Sequence, residues 1–353
     1  MNKYIIIPRN LVSGNEAKYQ ISINSAIPLA GSDKAFLDFE IQSDNNTKLD
    51  YNPILYSINK EKDWNTTNIS KNKIKKLLKN YSYKPKPFIG LKNQNFYIMG
   101  ILNITPDSFY HKSRGLQTFK KSIEKAIKMY EEGASIIDIG GESTKPGSFK
   151  ISEEEEQKRI IPVIAELSKN NIPISCDTRN SATMQAAIDA GASIINDISS
   201  LSDKKAANII SKNKVGLILM HMQRQPNNMQ ISPKYKNVSF EITKYLKEKR
   251  NYAIKMGIKE KNILIDPGIG FGKNDIHNLK IFNDLALLHS LNSHIMIGAS
   301  RKSMIGRITN TEPIDRLPGS ISLAIASIER GVKFFRVHDV KETKQALIIW
   351  NKI

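Results

Sequence analysis

An α/β chain is predicted, with residues 95–353 closing as a TIM (β/α)8 barrel behind a small N-terminal extension, residues 1–94. Three observations predict it. Eight short apolar runs alternate with amphipathic helical stretches, the pattern of repeated βα units around a parallel sheet. The 353 residues match one barrel of about 250 residues plus roughly 100 more. A breaker-rich segment, Lys84-Pro85-Lys86-Pro87, separates two stretches of different texture and reads as an extended linker.

Within the extension, Tyr4–Ile7, Tyr19–Ile23 and Phe36–Ile41 have strand-like composition, and Lys71–Lys79 forms a short basic helix. The barrel strands are expected at Phe96–Asn103, Ser135–Gly140, Ile172–Asp177, Ser193–Ile198, Val215–Met222, Asn262–Asp266, His294–Ala299 and Phe334–His338. Between the first two, Phe119, Ile123, Ala126, Ile127 and Tyr130 recur at helical spacing and make one apolar stripe. Ser152 and Glu155 have capping-box spacing at the start of the next helix, and Lys341–Lys352 forms the last.

Composition excludes several classes. With 40% hydrophobic and 25% charged residues the chain is neither disordered, collagen-like nor a disulfide scaffold. The single cysteine, Cys176, cannot form an internal disulfide or a thiolate cluster, so it is expected to pack. The apolar stretch before Pro8 is too short for a signal-peptide core and no later run approaches a membrane span; a cytoplasmic protein without membrane contact is expected. The net charge of +19 is spread along the chain, 15 basic against 8 acidic residues up to Gln94 and 38 against 26 beyond. No aromatic-interleaved basic patch accompanies it, so it reads as a solvated surface and not as a nucleic-acid footprint.

The ends of barrel strands and the loops after them form the active face of this fold. Here they carry Asn103, Asp138, Asp177, Asn196, His221 and Asp266, then Ser300-Arg301-Lys302-Ser303, then Arg336-Val337-His338-Asp339. Any one strand-end Asp or Asn could simply cap the following helix. Together, carboxylates and an amide near the axis with cations at the last two strands call for a ligand with two unlike ends. One end offers hydrogen-bond donors, and the other is an anion.

Five segments carry a resemblance. Met99-Gly100-Ile101-Leu102-Asn103-Ile104-Thr105-Pro106-Asp107-Ser108-Phe109, Ile137-Asp138-Ile139-Gly140-Gly141-Glu142-Ser143-Thr144, Asp266-Pro267-Gly268-Ile269-Gly270-Phe271-Gly272-Lys273, Ser300-Arg301-Lys302-Ser303 and Arg336-Val337-His338-Asp339 resemble, in order, the signature segments of the dihydropteroate synthase family. The resemblance implies a TIM barrel and a transferase. Its reaction joins p-aminobenzoate to 6-hydroxymethyl-7,8-dihydropterin diphosphate, giving 7,8-dihydropteroate and diphosphate in folate biosynthesis.

The ring's amide N–H beside its exocyclic amine is a two-donor edge that a carboxylate accepts with both oxygens, a role that suits Asp266. By resemblance, Asp177 and Asn196 complete the polar rim, Lys302 reaches the ring's carbonyl edge, and Ile198, Met220 and Phe271 supply apolar walls, Phe271 on the side of p-aminobenzoate. Arg336 and His338 suit the departing diphosphate. The resemblance adds Mg²⁺ held by Asn103, with most remaining coordination from water and diphosphate. It also implies loops closing over the site, with Asp107, Thr144, Lys145, Pro146 and Ser303 as their working residues, and a homodimer. A related barrel, the methyltetrahydrofolate-to-corrinoid methyltransferases, shares the pterin rim but needs no diphosphate clamp; Ser300-Arg301-Lys302-Ser303 together with Arg336 and His338 favour the synthase family over it.

One departure stands out. The second loop usually reads Thr-Arg-Pro-Gly in this family and here reads Thr144-Lys145-Pro146-Gly147. Lysine keeps the charge and loses the planar fork. Lys145→Arg is therefore expected to leave the rate of diphosphate release equal or higher, and a large loss of rate would contradict a loop role for this residue.

Overall fold

In the computed structural model, which describes residues 4–30, 32–43, 54–67, 69–104, 112–142 and 151–353, two sheets form. The extension contains β1 (Tyr4–Ser13), α1 (Gly14–Ser22), β2 (Ile27–Pro28), β3 (Lys34–Ser43), β4 (Leu55–Ser57) and α2 (Lys71–Lys79). β3 pairs antiparallel with β1 along its whole length, Tyr4 opposite Ser43 and Ser13 opposite Lys34. On its other edge β3 meets β2 and then β4.

The predicted basic helix forms over Lys71–Lys79, burying Ile74 and Leu78. The predicted strand Tyr19–Ile23 does not form. That stretch belongs to α1 and its C-cap, with Tyr19 58% and Ile23 48% exposed. The reason is tertiary: β1 has its partners already, and the chain after Gly14 must cross over to reach β2. Local β-propensity gives way to that path.

The barrel runs β5 (Tyr97–Asn103), α3 (Lys112–Glu131), β6 (Ile136–Gly140), α4 (Glu153–Ser168), β7 (Ile174–Asp177), α5 (Ser181–Asp189), β8 (Ile194–Asp197), α6 (Ala206–Asn213), β9 (Gly216–Met220), α7 (Val238–Lys255), β10 (Ile263–Asp266), α8 (Asp275–Asn283), β11 (His294–Ile297), α9 (Ser303–Thr309), α10 (Leu317–Ile328), β12 (Phe334–Val337) and α11 (Val340–Trp350). β5 to β12 pair in parallel in chain order, and β12 closes on β5. All eight expected strands are present, each trimmed by one to three residues where the observed pairing stops.

Side chains alternate across the barrel wall, as the twofold pleat requires. Ile137, Ile139, Ile195, Ile263, Ile265 and Phe335 point outward and pack with the helices, as does the buried Cys176. Ile136, Ile194, Ile218, Leu264, Met296 and Phe334 pack inside, together with Phe88. Phe88 comes from the linker and closes the barrel's N-terminal end, its ring edge-on to Phe334 at 5.6 Å, while Tyr97 stacks on Phe334 at 4.4 Å.

Two local expectations shift. In α3, Ala126 is buried and Phe119, Ile123 and Ile127 pack half-buried against the core, but Met129 is buried in place of Tyr130, which is 41% exposed. Ser152 caps α4 by accepting from the Glu155 amide at 3.2 Å, while the Glu155 carboxylate turns to Arg159 at 2.9 Å instead of reaching back. A complete capping box occurs at α8, between Asn274 and His277.

The extension packs on the barrel. Its core, with Phe36, Phe39, Tyr56, Trp64 and Tyr81, includes Ala286 from the 3-10 turn that follows α8. At the seam the Arg9 guanidinium donates to Glu40 and to Asp284, each at 2.8 Å. Asp284 also accepts from Ser239 Oγ at 2.6 Å and Lys280 at 2.9 Å, and Asn237 of the α7 cap donates to Gln42 at 2.9 Å. Glu40 and Asp284 are almost fully buried, so removing their shared cation leaves charges water cannot reach. Arg9→Met is expected to cost about 3 kcal/mol in urea unfolding; a loss below about 0.5 kcal/mol, the scale of an ordinary surface substitution, would mean the pairing does not hold the extension in place.

Candidate functional site

The site lies at the C-terminal ends of the barrel strands, where the inward positions change from apolar to polar. One pleat above Ile136 and Phe334 the same inward faces carry Asp138 and Arg336, and neighbouring strands bring Ser175, Asp177, Asn196 and Asp266. Asp138 is fully buried, and Asp177, Asn196 and Asp266 are nearly so.

Arg336 joins this group. Its Nε donates to Asp138 Oδ2 at 2.6 Å and its Nη2 to Asp177 Oδ2 at 2.7 Å. Asn196 Nδ2 donates to the same Asp138 oxygen at 3.2 Å. Burial opposes the charge on the guanidinium, but Asp138 and Asp177 outweigh it and hold Arg336 well above its ordinary range. One cation therefore serves two buried carboxylates. Burial, reinforced by Asp138 and Glu156 and opposed by Arg336 and Lys302, holds Asp177 up at about 7. Asp138 Oδ1 is buried without a hydrogen-bond partner among the described residues.

Asp266 is oriented by its own loop: the Gly268 amide donates to Oδ1 at 2.7 Å. Oδ2 accepts no hydrogen bond from the described residues and faces Gly298 and Arg336. Burial raises Asp266 against the pull of the Gly268 amide and of Lys302, Lys273 and Arg336. Lys302, in extended conformation just before α9, sets its Nζ 4.0 Å from the centroid of the Phe271 ring, a cation–π contact. Its burial, then Arg336, lower it to about 8, while Asp266 and Asp177 pull the other way. Ile198, Met220 and Phe271 form one buried apolar cluster with Met229.

His338 stands at the rim with accessible surface. Ser300 Oγ accepts from the His338 backbone amide at 3.2 Å and lies 3.1 Å from its Nδ1. Either atom can donate across that contact, the hydroxyl to a bare Nδ1 or an Nδ1–H to the hydroxyl. Burial, then Arg336, lower His338 to about 4, so the ring is neutral at physiological pH and acts as an N–H donor. Asn103, last in β5, is exposed; a Cβ added at Gly140 would meet Asp177 Cβ at 3.4 Å and Asn103 Oδ1 at 3.6 Å, so these two side chains converge over that glycine. Among the described residues no cluster of three or more His, Cys, Asp or Glu is arranged for a metal.

The structure thus brings together Asn103, Asp177, Asn196, Ile198, Met220, Asp266, Phe271, Lys302, Arg336 and His338. Ser303 opens α9 on the exposed side. Asp107, Thr144, Lys145 and Pro146 lie outside the described residues. Arg301, part of a signature segment, is a fastener: it grips Asp339 through two bonds of 2.8 and 2.6 Å and donates to the Pro313 and Ile314 carbonyls. Asp138 and Ser300, which the sequence analysis set on the active face without a role, are members as well. The signal for Asp138 was available in Ile136-Ile137-Asp138-Ile139-Gly140: the twofold period places it on the inward face, where a carboxylate needs a cation.

A model for "Pterin binding enzyme" matches residues 99–338. The chain is 43% identical over 260 residues to a dihydropteroate synthase of Neisseria meningitidis serogroup C, covering 72% of this chain and 92% of that one. It is 41% identical over 252 residues to the Escherichia coli (strain K12) dihydropteroate synthase, covering 71% and 89%. Among solved structures, Yersinia pestis dihydropteroate synthase with a sulfonamide drug complex superposes with a TM-score of 0.71 at 38% identity, covering 76% of this chain and 98% of that one. The Xanthomonas albilineans enzyme in complex with 7,8-dihydropteroate does so with a TM-score of 0.65 at 36% identity, covering 72% and 92%.

Asp177 offers both oxygens purely as acceptors only as a carboxylate, and Lys302 donates three hydrogens only as an ammonium. Pterin binding is therefore expected to peak between pH 7 and 8. It should fall roughly five- to tenfold by pH 6, as Asp177 with its value of about 7 takes up a proton, and again by pH 9, as Lys302 with its value of about 8 loses one. Titrations of wild type and Asp177→Asn check this: the acid limb should vanish in the variant, and an unchanged acid limb would clear Asp177.

Proposed function

The chain belongs to the dihydropteroate synthases of the pterin-binding enzyme family, and from that premise we propose how its own residues carry out the condensation of 6-hydroxymethyl-7,8-dihydropterin diphosphate with p-aminobenzoate. One observation carries the proposal: acceptors on Asp177, Asn196 and Asp266 and donors on Lys302, Arg336 and His338 converge at one barrel mouth.

The pterin enters edge first. Its paired N–H groups meet the free Asp266 Oδ2, with Asn196 and Asp177 along the same rim. Lys302 donates to the ring's carbonyl edge while Ile198, Met220 and Phe271 cover the faces. Arg336 spends only Nε and Nη2 on Asp138 and Asp177; its Nη1 makes no hydrogen bond with the described residues and turns its hydrogens to the diphosphate. His338 adds its Nε2–H in the tautomer in which the Ser300 hydroxyl donates to Nδ1. As the carbon–oxygen bond stretches, charge grows on the diphosphate oxygens that these donors face, and they act without reorganising because Asp138, Asp177 and Ser300 already hold them.

Loss of diphosphate leaves a ring-stabilised pterin methylene cation. The neutral amine of p-aminobenzoate attacks it with its lone pair, forms the carbon–nitrogen bond and then sheds a proton. No strong base is required, because the amine is uncharged at working pH. Asn103 supplies a single side-chain oxygen, which suits Mg²⁺, an ion that keeps several waters and takes substrate phosphate oxygens instead of a full protein cage. When bound there, Mg²⁺ would neutralise charge on the departing diphosphate. We further infer a homodimer acting in the cytoplasm; among the described residues no helix is long and apolar enough to cross a membrane.

An assay of diphosphate release tests the reading. Repeated turnover should need the pterin diphosphate and p-aminobenzoate together, with one 7,8-dihydropteroate formed per diphosphate released, and should stop on chelation and resume with Mg²⁺. Multiple-turnover release at the same rate with and without p-aminobenzoate would overturn it. His338→Ala is expected to lower kcat by about 10- to 100-fold, and Ser300→Ala, which frees the tautomer, by a smaller factor, while binding of the diphosphate-free pterin stays unchanged in both.

A further inference from the structure

The loop after β10 is fastened from beneath by a lysine that touches none of the substrate-facing groups. Lys273 is 1% exposed, a rare burial for lysine. Its Nζ lies 2.8 Å from the Gly268 carbonyl, 2.9 Å from the Phe271 carbonyl, 3.2 Å from the His221 carbonyl and 3.0 Å from His221 Nδ1. The loop is pressed against the end of β9 so closely that a Cβ at Gly268 would sit 2.0 Å from the His221 carbonyl oxygen. Gly268 and Gly270 both adopt positive φ, +68° and +78°, which only glycine takes without strain.

Two of the three carbonyls that Lys273 holds, those of Gly268 and Phe271, belong to residues that shape the pocket. The Gly268 amide orients Asp266, and Phe271 presents its ring to Lys302. We propose that Lys273 is a positioning residue for pterin recognition, a pin that joins the β9 and β10 loops and so fixes both the direction of the Asp266 carboxylate and the place of the Phe271 wall. It acts on the heterocycle's end of the site and leaves the diphosphate end, built on β11 and β12, untouched. The chemistry it serves is that of a flat, neutral heterocycle with an N–H edge. This rests on the pterin reading above.

Wild-type and Lys273→Met chains titrated with 6-hydroxymethyl-7,8-dihydropterin diphosphate and, separately, with inorganic diphosphate give the test. The variant should bind the pterin diphosphate about tenfold or more weakly, since small misplacement of a rigid acceptor has effects of this size, and inorganic diphosphate within about twofold of wild type. Equal weakening of both ligands, or of neither, overturns the proposal, because a generally loosened barrel would not separate them. Should Lys273→Met fail to fold, Lys273→Gln, which keeps a donor at that place, goes through the same two titrations, and equal weakening of both ligands or of neither again overturns the proposal. A wild-type chain that fails to bind pterin diphosphate at all would sink the functional reading itself, a result that a variant losing only the pterin end does not produce.

Discussion

Everything at the mouth of this barrel is arranged around a single guanidinium. Arg336 projects inward from the last strand and lies between Asp138 and Asp177, two carboxylates withdrawn from water. Burying either acid alone would be costly, and one cation cannot neutralise both. The interior is therefore short of positive charge and of hydrogen-bond donors before any ligand arrives. A heterocycle with an N–H edge makes good the shortage of donors, and an attached diphosphate meets the cations that remain at the rim. The two unlike ends of the substrate are thus matched by two unlike deficits within a few residues of each other.

The division between structure and chemistry follows the pleat. Below the level of Asp138 the inward side chains are apolar and fill the barrel with Phe88 among them; above it they are polar. Outward positions on the same strands, Asp197 at the end of β8 excepted, are apolar and serve the helices. The same alternation explains why Asn196 faces the site while its neighbour Asp197 turns away to cap the following turn, accepting from the Ser199 and Leu201 amides.

Much of this was legible in the residues. Short β-branched runs between amphipathic helices have few alternatives, so the eight strands and the helix at Lys71–Lys79 could be placed from pattern. Asp177, Asn196, Asp266, Lys302, Arg336 and His338 could be named because strand ends are where this fold carries its chemistry. What pattern did not reveal was partnership. Arg336 was expected to face only the diphosphate, and its grip on Asp138 depends on two strands distant in the chain and adjacent in the closed barrel. Lys273 looked like the end of a glycine loop because its burial exists only once the β9 and β10 loops meet. The Tyr19–Ile23 stretch misled for the opposite reason: its local preference was clear, and the route of the chain overruled it.

Phe88 changes how the two halves of the chain relate. It precedes the first barrel strand yet sits in the barrel's floor against Phe334. The extension is consequently no detachable cap: its final residues are a cork, and an exchange of modules that cut between Phe88 and Asn95 would hand the barrel over unsealed. A natural seam between the two units lies further back, in the prolines that lead up to that ring.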